Sequence, residues 1–343
     1  MDTLTGYEGS SIKILEQNNE KNTVELSLVE ENKKYSHYYN FIVENKLNSK
    51  GIIHISNITQ SDYYSNEQSH APYIKIDNQE WKKMSQSDYK MENNKLTLII
   101  QPMTKAEISL VPRYVEKDLY DFIDRVKEKH AIEIKNEVLP QIEIGNKTDP
   151  VIIVLGRQHP GETLSSKFIE GIIESAIKNK LRYHFIIFPI VNQLGVKTGN
   201  HRYTNNIDYN RSWNKDNPPQ EIKYIKEIMK TNKPQYFVDV HNDEMTNKDY
   251  IRMNSNISEI AGIQVLKSMS KFRRFMRALI KQHKIINTKN LTSREYVERK
   301  YKCTSILVEL SMGLEYSQIK EKGKKFIYEL LEGGRKWKRK VYF

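Results

Sequence analysis

The sequence predicts an α/β protein in which a mixed sheet is flanked by helices and preceded by a small β-sandwich. Short runs of alternating apolar and polar residues, separated by polar turns, fill residues 1–115. After Pro112, longer apolar runs alternate with stretches of helical periodicity. With 343 residues, 38% of them hydrophobic, the chain is long enough for both parts. We therefore expect a β-sandwich domain over residues 1–115 and a second domain over residues 116–343.

Six short runs in the first domain have the period of two that is typical of strands, and their even spacing favours a sandwich. They are Thr23–Val29, His37–Val43, Ile52–Ile58, Tyr73–Ile76, Lys95–Ile100 and Ala106–Val111. His37, His54 and His70 lie in this region without an acidic neighbour at the spacing of a metal site. We expect these three histidines to be ordinary strand or loop residues.

The second domain begins with an amphipathic helix, because Leu119, Phe122, Ile123 and Val126 recur at spacings of three and four residues. Four apolar runs have the character of buried strands, at Val151–Leu155, His184–Pro189, Tyr236–Val240 and Thr304–Leu310. Helical stretches are expected at Leu164–Ile177, Gln220–Met229, Glu259–Lys281 and Ser317–Glu332. In open α/β sheets ligands bind beyond the carboxyl ends of the strands, so we expect the functional residues at that edge.

Composition limits the classes of partner. The 55 basic and 43 acidic residues give a net charge of +12, which is typical of nucleic-acid binding, of attraction for acidic substrates, or of compositional bias alone. The basic clusters within 271–274 and 335–340 match no nucleic-acid motif, so we expect no such partner.

No apolar run could span a membrane, the N-terminus lacks the features of a signal peptide, and Cys303 is the only cysteine. These features favour the cytoplasm.

A possible metal site follows the first and third buried runs. His159 and Glu162 lie three residues apart on the turn after the first run, and His241 directly follows the third. Two imidazoles and one carboxylate leave one position open on a zinc ion, as catalytic zinc sites do. The alternative for Glu162 is a helix cap that offsets the helix dipole. The intervening Pro160-Gly161 pair favours a specific tight turn instead.

Five ordered blocks resemble the zinc carboxypeptidases, and more narrowly their cytosolic carboxypeptidase branch. They are His159-Pro160-Gly161-Glu162-Thr163, Gly199-Asn200-His201-Arg202, Asp208-Tyr209-Asn210-Arg211-Ser212-Trp213, Asp239-Val240-His241, and Ser305-Ile306-Leu307-Val308-Glu309-Leu310-Ser311-Met312-Gly313. That branch also carries a β-sandwich ahead of its catalytic domain, so the resemblance covers most of the chain. It implies a carboxypeptidase-like fold for the second domain.

The resemblance also implies roles for particular residues. One zinc ion per chain would be held by His159, Glu162 and His241. Glu309 would act as general base and acid, and Arg202 would face the developing oxyanion. Asn210 and Arg211 would bind the terminal carboxylate of the substrate.

Each implied role also makes chemical sense on its own. Burial at the end of an apolar strand would raise the pKa of Glu309 towards a useful range, although a strand-end glutamate could instead face solvent. The planar fork of Arg211 fits a carboxylate, which would make the protein an exopeptidase. Without the resemblance, the Asp208–Arg211 run would be most simply an Asx-turn loop.

Arg294 is the candidate specificity residue. It lies fifteen residues before Glu309 and resembles an arginine that, in the cytosolic branch, occupies the pocket for the C-terminal side chain. Such an arginine would favour a terminal Glu or Asp, whereas the alternative is a surface-loop arginine.

The family's active-site tyrosine could be Tyr296 or Tyr301. The branch's Asn-Pro-Asp-Gly is Asn192-Gln193-Leu194-Gly195 here, which we interpret as loop variation. Its His-Gly-His is His241-Asn242-Asp243, which keeps the ligand but changes its surroundings and puts the fine specificity in doubt.

The sequence thus predicts a cytoplasmic zinc metallocarboxypeptidase that removes the C-terminal residue, preferably Glu or Asp, from peptide or protein tails. A second hypothesis is a zinc amidohydrolase acting on N-acyl amino acids, but the N-terminal sandwich and the His-Pro-Gly-Glu-Thr block favour the peptidase. A third, a non-catalytic binding module, conflicts with the intact ligand set, Glu309 and the Asn210-Arg211 pair.

Overall fold

The computed structural model describes residues 1–32, 36–58, 71–77, 79–128, 132–243, 249–253, 290–301, 303–312 and 314–333. The expected helix at Glu259–Lys281, both basic clusters and His70 lie outside these residues. None of the helices in the described part is long and apolar enough to cross a membrane.

Two five-stranded sheets form the N-terminal region. The first has the order β1-β4-β10-β6-β7, with strands Asp2–Leu4, Asn40–Asn45, Thr104–Ser109, Tyr73–Ile76 and Lys82–Lys83. The second has the order β2-β3-β5-β9-β8, with strands Lys13–Asn18, Thr23–Ser27, Gly51–Ile55, Lys95–Ile100 and Tyr89–Glu92. Each of the six predicted runs overlaps an observed strand. Strand β2 was missed because nearly all its residues are exposed, so it has no apolar face to produce a pattern.

A seven-stranded mixed sheet forms the centre of the second half, which confirms the predicted fold class. Its order is β11-β12-β14-β13-β17-β19-β18, with strands Glu133–Lys135, Gln141–Ile144, His184–Phe188, Val151–Gly156, Tyr236–Asp243, Thr304–Ser311 and Tyr250–Met253. The four central strands β14, β13, β17 and β19 are parallel, and the strands at both edges are antiparallel. All residues of β13 are buried, because helices cover both faces of the sheet.

The helices divide between the two faces of this sheet. In the described residues they are α1 Glu116–Lys127, α2 Leu164–Lys178, α3 Gln193–Lys197, α4 Gln220–Asn232, α5 Ser293–Lys300 and α6 Tyr316–Tyr328. Helices α2 and α6 pack with Val154, Val240 and Val308, while α4 and α5 pack with Leu155 and Phe237 on the other face. Helix α5 was not predicted, because only Ser293 and Val297 of its eight residues are buried.

Two expectations about element ends were wrong. Strand β17 continues to Asp243, so His241 lies within the strand and not after it. The α-helical part of the last predicted helix ends at Tyr328, and a π-helical turn, Glu329–Gly333, follows it. The polar residues Asn242 and Asp243 ended the apolar pattern early, but their pairing with β19 continues.

The core of the N-terminal region is continuous with one face of the seven-stranded sheet. Phe41, Leu98 and Ile108 belong to the same cluster of buried side chains as Phe168 and Val238. The two regions also share the hydrogen bond from the Tyr73 hydroxyl to the Leu314 carbonyl, at 2.8 Å. The division near residue 115 stays a prediction.

Helices α2 and α6 cross at a pair of glycines. A Cβ atom at Gly323 would lie 2.0 Å from the carbonyl oxygen of Phe168, and one at Gly171 would lie 2.0 Å from that of Lys320. The two backbones therefore approach so closely that no side chain fits between them.

We expect Gly323→Ala to destabilise the protein by about 1–3 kcal/mol, because the added methyl group forces the helices apart. The measurement is the free energy of unfolding from urea denaturation. Gln318→Ala, an exposed position on the same helix, is the control and should stay within about 0.5 kcal/mol of the parent. A Gly323→Ala protein as stable as the parent would refute the tight crossing.

Candidate metal centre

Three ligand side chains converge at the carboxyl ends of the adjacent strands β13 and β17. The Nδ1 atom of His159 lies 2.6 Å from one carboxylate oxygen of Glu162, and the Nδ1 atom of His241 lies 2.7 Å from the other. The three donor atoms lie within 4.8 Å of one another, and the residues are only 5%, 6% and 2% exposed. This cluster could hold one metal ion, and its two nitrogens and one carboxylate suit zinc.

The outer nitrogens of both imidazoles face carboxylates. The Nε2 atom of His159 lies 3.2 Å from Asp208, and the Nε2 atom of His241 lies 3.0 Å from Asp239. Burial alone would lower the pKa of each imidazole, but the neighbouring carboxylates outweigh it and raise both pKa values. An outer N–H that donates to a carboxylate leaves the inner nitrogen free to bind a metal, as metal-binding histidines require.

The turn that carries His159 and Glu162 is tightly fixed. A Cβ atom at Gly161 would lie 2.7 Å from the Cα atom of His201, so only glycine fits there. Arg157 has a φ of 58° and is 2% exposed, and its guanidinium donates to the carbonyl oxygen of Pro160 at 2.7 Å. It also donates to the carbonyl oxygen of Tyr114 at 2.9 Å. The sequence reasoning missed this role of Arg157, although a charged residue directly after a buried strand was a usable signal.

Glu309 lies on β19 beside this cluster, in register with His241 on β17. Its side chain is partly accessible, but protein surrounds it on most sides. This burial is the main cause that raises the pKa of Glu309 to about 8, and Glu162 adds to the effect while His241 opposes it. A carboxyl group with a raised pKa next to a metal cluster can accept and return a proton near neutral pH.

Arg202 and Asp208 face each other across a short hairpin. Strands β15 (Tyr203–Thr204) and β16 (Ile207–Asp208) are joined by two asparagines with φ values of 50° and 61°, as a tight two-residue turn requires. The Nε atom of Arg202 donates to Asp208 at 3.0 Å. Burial favours the neutral form of Asp208, but His159 and Arg202 outweigh it and hold the pKa of this carboxyl well below its usual range. Asp208 thus links Arg202 to the ligand His159.

The other predicted binding residues lie on neighbouring segments. The side-chain amide nitrogen of Asn210 is 3.3 Å from the Nε2 atom of His241, and its oxygen accepts the backbone N–H of Ser293 at 2.9 Å. Arg211 follows Asn210 in a short 3₁₀ helix, Tyr209–Arg211, and its guanidinium donates to the Asn210 carbonyl at 3.3 Å. Arg294 lies in the first turn of α5, next to Ser293, and forms a 3.2 Å ion pair with Glu298.

A second group of polar residues behind the cluster was not found from the sequence. Gln158 donates to both carboxylate oxygens of Asp239 at 2.8 Å and accepts from the indole of Trp213 at 2.7 Å. The hydroxyl of Ser293 also donates to Asp239. Asp239 is therefore oriented towards His241. Its place within an apolar run was the only signal in the sequence.

The two tyrosines considered for the active site pack against other aromatic rings. The ring centroid of Tyr296 lies 5.8 Å from that of Trp213 and 6.4 Å from that of Tyr301.

Parts of the chain are similar to cytosolic carboxypeptidases. Residues 4–111 match the family model described as the cytosolic carboxypeptidase N-terminal domain. A Zymomonas mobilis protein described as uncharacterized is 24% identical over 262 residues, which are 69% of this chain and 66% of that protein. Mouse cytosolic carboxypeptidase 1 is 40% identical over 80 residues, which are 21% of this chain and 7% of the mouse protein. The chain thus matches only part of the length of each relative.

A solved structure has the same fold over nearly the whole chain. The metallo-carboxypeptidase from Burkholderia cenocepacia superposes with a TM-score of 0.80 at 15% sequence identity, covering 98% of this chain and 99% of that one. At this identity the likeness establishes the fold. Within this fold the cluster of His159, Glu162 and His241 could hold a metal ion.

We expect Asp208→Asn to weaken the affinity for a divalent metal about 10- to 100-fold, since the amide no longer orients His159 as a carboxylate does. Competition with a chromophoric chelator measures this affinity. Asp216→Asn, an exposed substitution in the segment that follows, is the control and should leave it unchanged. Parent-like metal affinity in Asp208→Asn would show that the contact with His159 is incidental.

Proposed function

We propose that this chain is a zinc metallocarboxypeptidase related to the cytosolic carboxypeptidases, and that it hydrolyses the C-terminal peptide bond of peptides or proteins with one bound zinc ion. The observation that carries this proposal is the buried cluster of His159, Glu162 and His241 with Glu309 in register beside it. The names of the cytosolic relatives support an action in the cytoplasm.

Zinc bound at this cluster would lower the pKa of water and polarise the scissile carbonyl. In the proposed reaction Glu309 takes the proton from the attacking water and passes it to the leaving amine, and a pKa raised towards neutral pH allows one group to perform both transfers. Arg202 stabilises the negative charge that develops on the carbonyl oxygen. Its pairing with Asp208 supports this role, because it fixes the guanidinium before the substrate arrives.

We assign the terminal carboxylate of the substrate to Asn210 and Arg211. Among the residues that the structure describes, no carboxylate forms an ion pair with Arg211, while Asn210 is adjacent to the ligand His241. A guanidinium near the metal cluster can bind a carboxylate in a bidentate manner. A peptide without a carboxylate at this position would not be anchored, so the proposed reaction is limited to chain ends.

We assign the preference for acidic C-terminal residues to Arg294. The backbone N–H of Ser293 donates to Asn210, so the start of α5 adjoins the proposed carboxylate site. Arg294 is the next residue, and its ion pair with Glu298 joins side chains that are 20% and 36% exposed. An acidic substrate side chain could replace Glu298 as its partner. The net charge of +12 would also attract acidic tails.

We expect Glu309→Gln to lower kcat by about 10²- to 10⁴-fold and to leave the metal content unchanged, since the amide cannot accept the proton and Glu309 is not a proposed ligand. Steady-state kinetics and metal analysis of the same preparation measure the two effects. Glu315→Gln, an exposed substitution just beyond β19, is the control. Retained turnover in Glu309→Gln would refute its assignment as the base.

The proposed activity is tested with peptides that differ only in their C-terminal residue, with and without a zinc chelator. We expect chelator-sensitive release, fastest for terminal Glu or Asp. In Arg294→Gln the preference for Glu over Ala should fall about 10-fold or more, corresponding to about 1.4 kcal/mol or more of lost interaction. Arg299→Gln, an exposed position on the same helix, should keep the preference.

Other outcomes of this panel would contradict parts of the proposal. Fastest release of apolar or basic residues would retain the reaction and exclude the acidic pocket. No release from any peptide, together with cleavage of an N-acyl amino acid, would favour the amidohydrolase instead.

A further inference from the structure

A carboxylate from the N-terminal region accepts hydrogen bonds from the loop that carries Arg202. Glu31 lies between β3 and β4, and its side chain accepts the backbone N–H groups of three consecutive residues, His201, Arg202 and Tyr203. The bonds from Arg202 and Tyr203 are 2.8 and 3.0 Å long. These partners are 170 to 172 residues away in the sequence.

Three consecutive N–H groups that converge on one point form an anion-binding concavity. In this protein the anion is supplied by Glu31 and is therefore a fixed part of the structure. Without it, these donors would have to bind water or lose their partners, and a buried donor without a partner is destabilising. The conformation of the loop thus depends on a residue outside the seven-stranded sheet and its helices.

The N-terminal region touches this loop at further points. The backbone N–H of Gly9 donates to the carbonyl oxygen of Lys197 at 3.1 Å. Gly199 has a φ of 70°, and a Cβ atom there would lie 2.2 Å from the carbonyl oxygen of Ser10. The contact around Glu31 therefore belongs to a close interface.

Arg202 is fixed from both sides by these contacts. Glu31 holds its backbone, and Asp208 holds its guanidinium at 3.0 Å. A donor aimed at a developing oxyanion is effective only if it is already in place, and a shift of about 1 Å can cost about 10²-fold in rate. Glu31 touches neither the proposed metal ligands nor Glu309 among its hydrogen-bond partners.

We propose that Glu31 is a positioning residue for the reaction and acts through Arg202, so that the N-terminal region completes the active site. This inference rests on the proposed function. Because Arg202 stabilises the transition state, loss of Glu31 lowers kcat and leaves KM and metal binding nearly unchanged.

The first test compares Glu31→Gln with the parent in steady-state kinetics on a peptide with a C-terminal Glu. We expect kcat to fall roughly 10- to 100-fold and KM to change by less than about twofold. Glu107→Gln is the matched control, since Glu107 is a buried carboxylate of the same region whose described partners are Arg113 and Asn40. It should leave kcat unchanged even if it lowers the stability. If Glu31→Gln does not fold, Glu31→Asp replaces it.

A double-mutant cycle separates positioning from a general structural role. In an Arg202→Ala background, Glu31→Gln should cause no further loss of kcat, because the group through which it acts is absent. Parent-like kcat in folded Glu31→Gln, or the same loss in both backgrounds, would overturn the proposal.

Amide hydrogen exchange provides a reading that does not need turnover. In Glu31→Gln the amides of residues 201–203 should exchange faster than in the parent, and in Glu107→Gln they should not. A parent protein that releases no amino acid would refute the proposed function, and faster exchange would still support the positioning of the loop. Unchanged exchange would overturn the positioning.

Discussion

The in-register parallel pairing of β13, β17 and β19 is the constraint on which the site depends. Leu155 is opposite Asp239, and His241 is opposite Glu309. Side chains alternate along each strand, so Val240 pairs with Val308 against α2 and α6. A slip of one residue would bury His241 in that apolar face and expose a valine in its place. The apolar pattern that stabilises the sheet therefore also fixes which polar side chains meet at its edge.

The buried charges at this edge of the sheet favour the binding of a cation. If the imidazoles are neutral, as metal ligands must be, Glu162, Asp208 and Asp239 are opposed by the guanidinium groups of Arg157 and Arg202. In the described part of the chain, the carboxylate of Glu162 forms its side-chain hydrogen bonds with the two imidazoles and none with an arginine, so its charge remains when the imidazoles are neutral. Isolated buried charge is costly, so the remaining charge favours binding of a positive ion. The same low-dielectric surroundings raise the pKa of Glu309, and they therefore also provide a proton acceptor next to the ion.

The sequence predicted those parts whose stability comes from local pattern. Four central strands, β13, β14, β17 and β19, are apolar runs, and two helices, α2 and α4, have an apolar face. Each of these elements could therefore be predicted from a short stretch of sequence. Strand β2 and helix α5 have little buried surface and gave no such signal. The ordered motifs predicted His159, Glu162, His241 and Glu309 as one group. The supporting contacts of Arg157, Gln158 and Glu31 join segments far apart in the chain, and no spacing rule reveals them.

The loop that carries Arg202 shows why these distant contacts matter. Its hairpin strands are two residues each, and Arg202 and Tyr203 are partly exposed, so apolar burial contributes little to its position. Hydrogen bonds must supply the order: the asparagine turn shapes the hairpin, Asp208 holds the guanidinium, and Glu31 holds the backbone. A short hairpin is only marginally stable alone. Its conformation therefore depends on the N-terminal region, which supplies Glu31. The continuous core and the close approach at Gly199 join that region to the seven-stranded sheet. A β-rich region whose described residues form no metal cluster can in this way contribute to the precision of an active site.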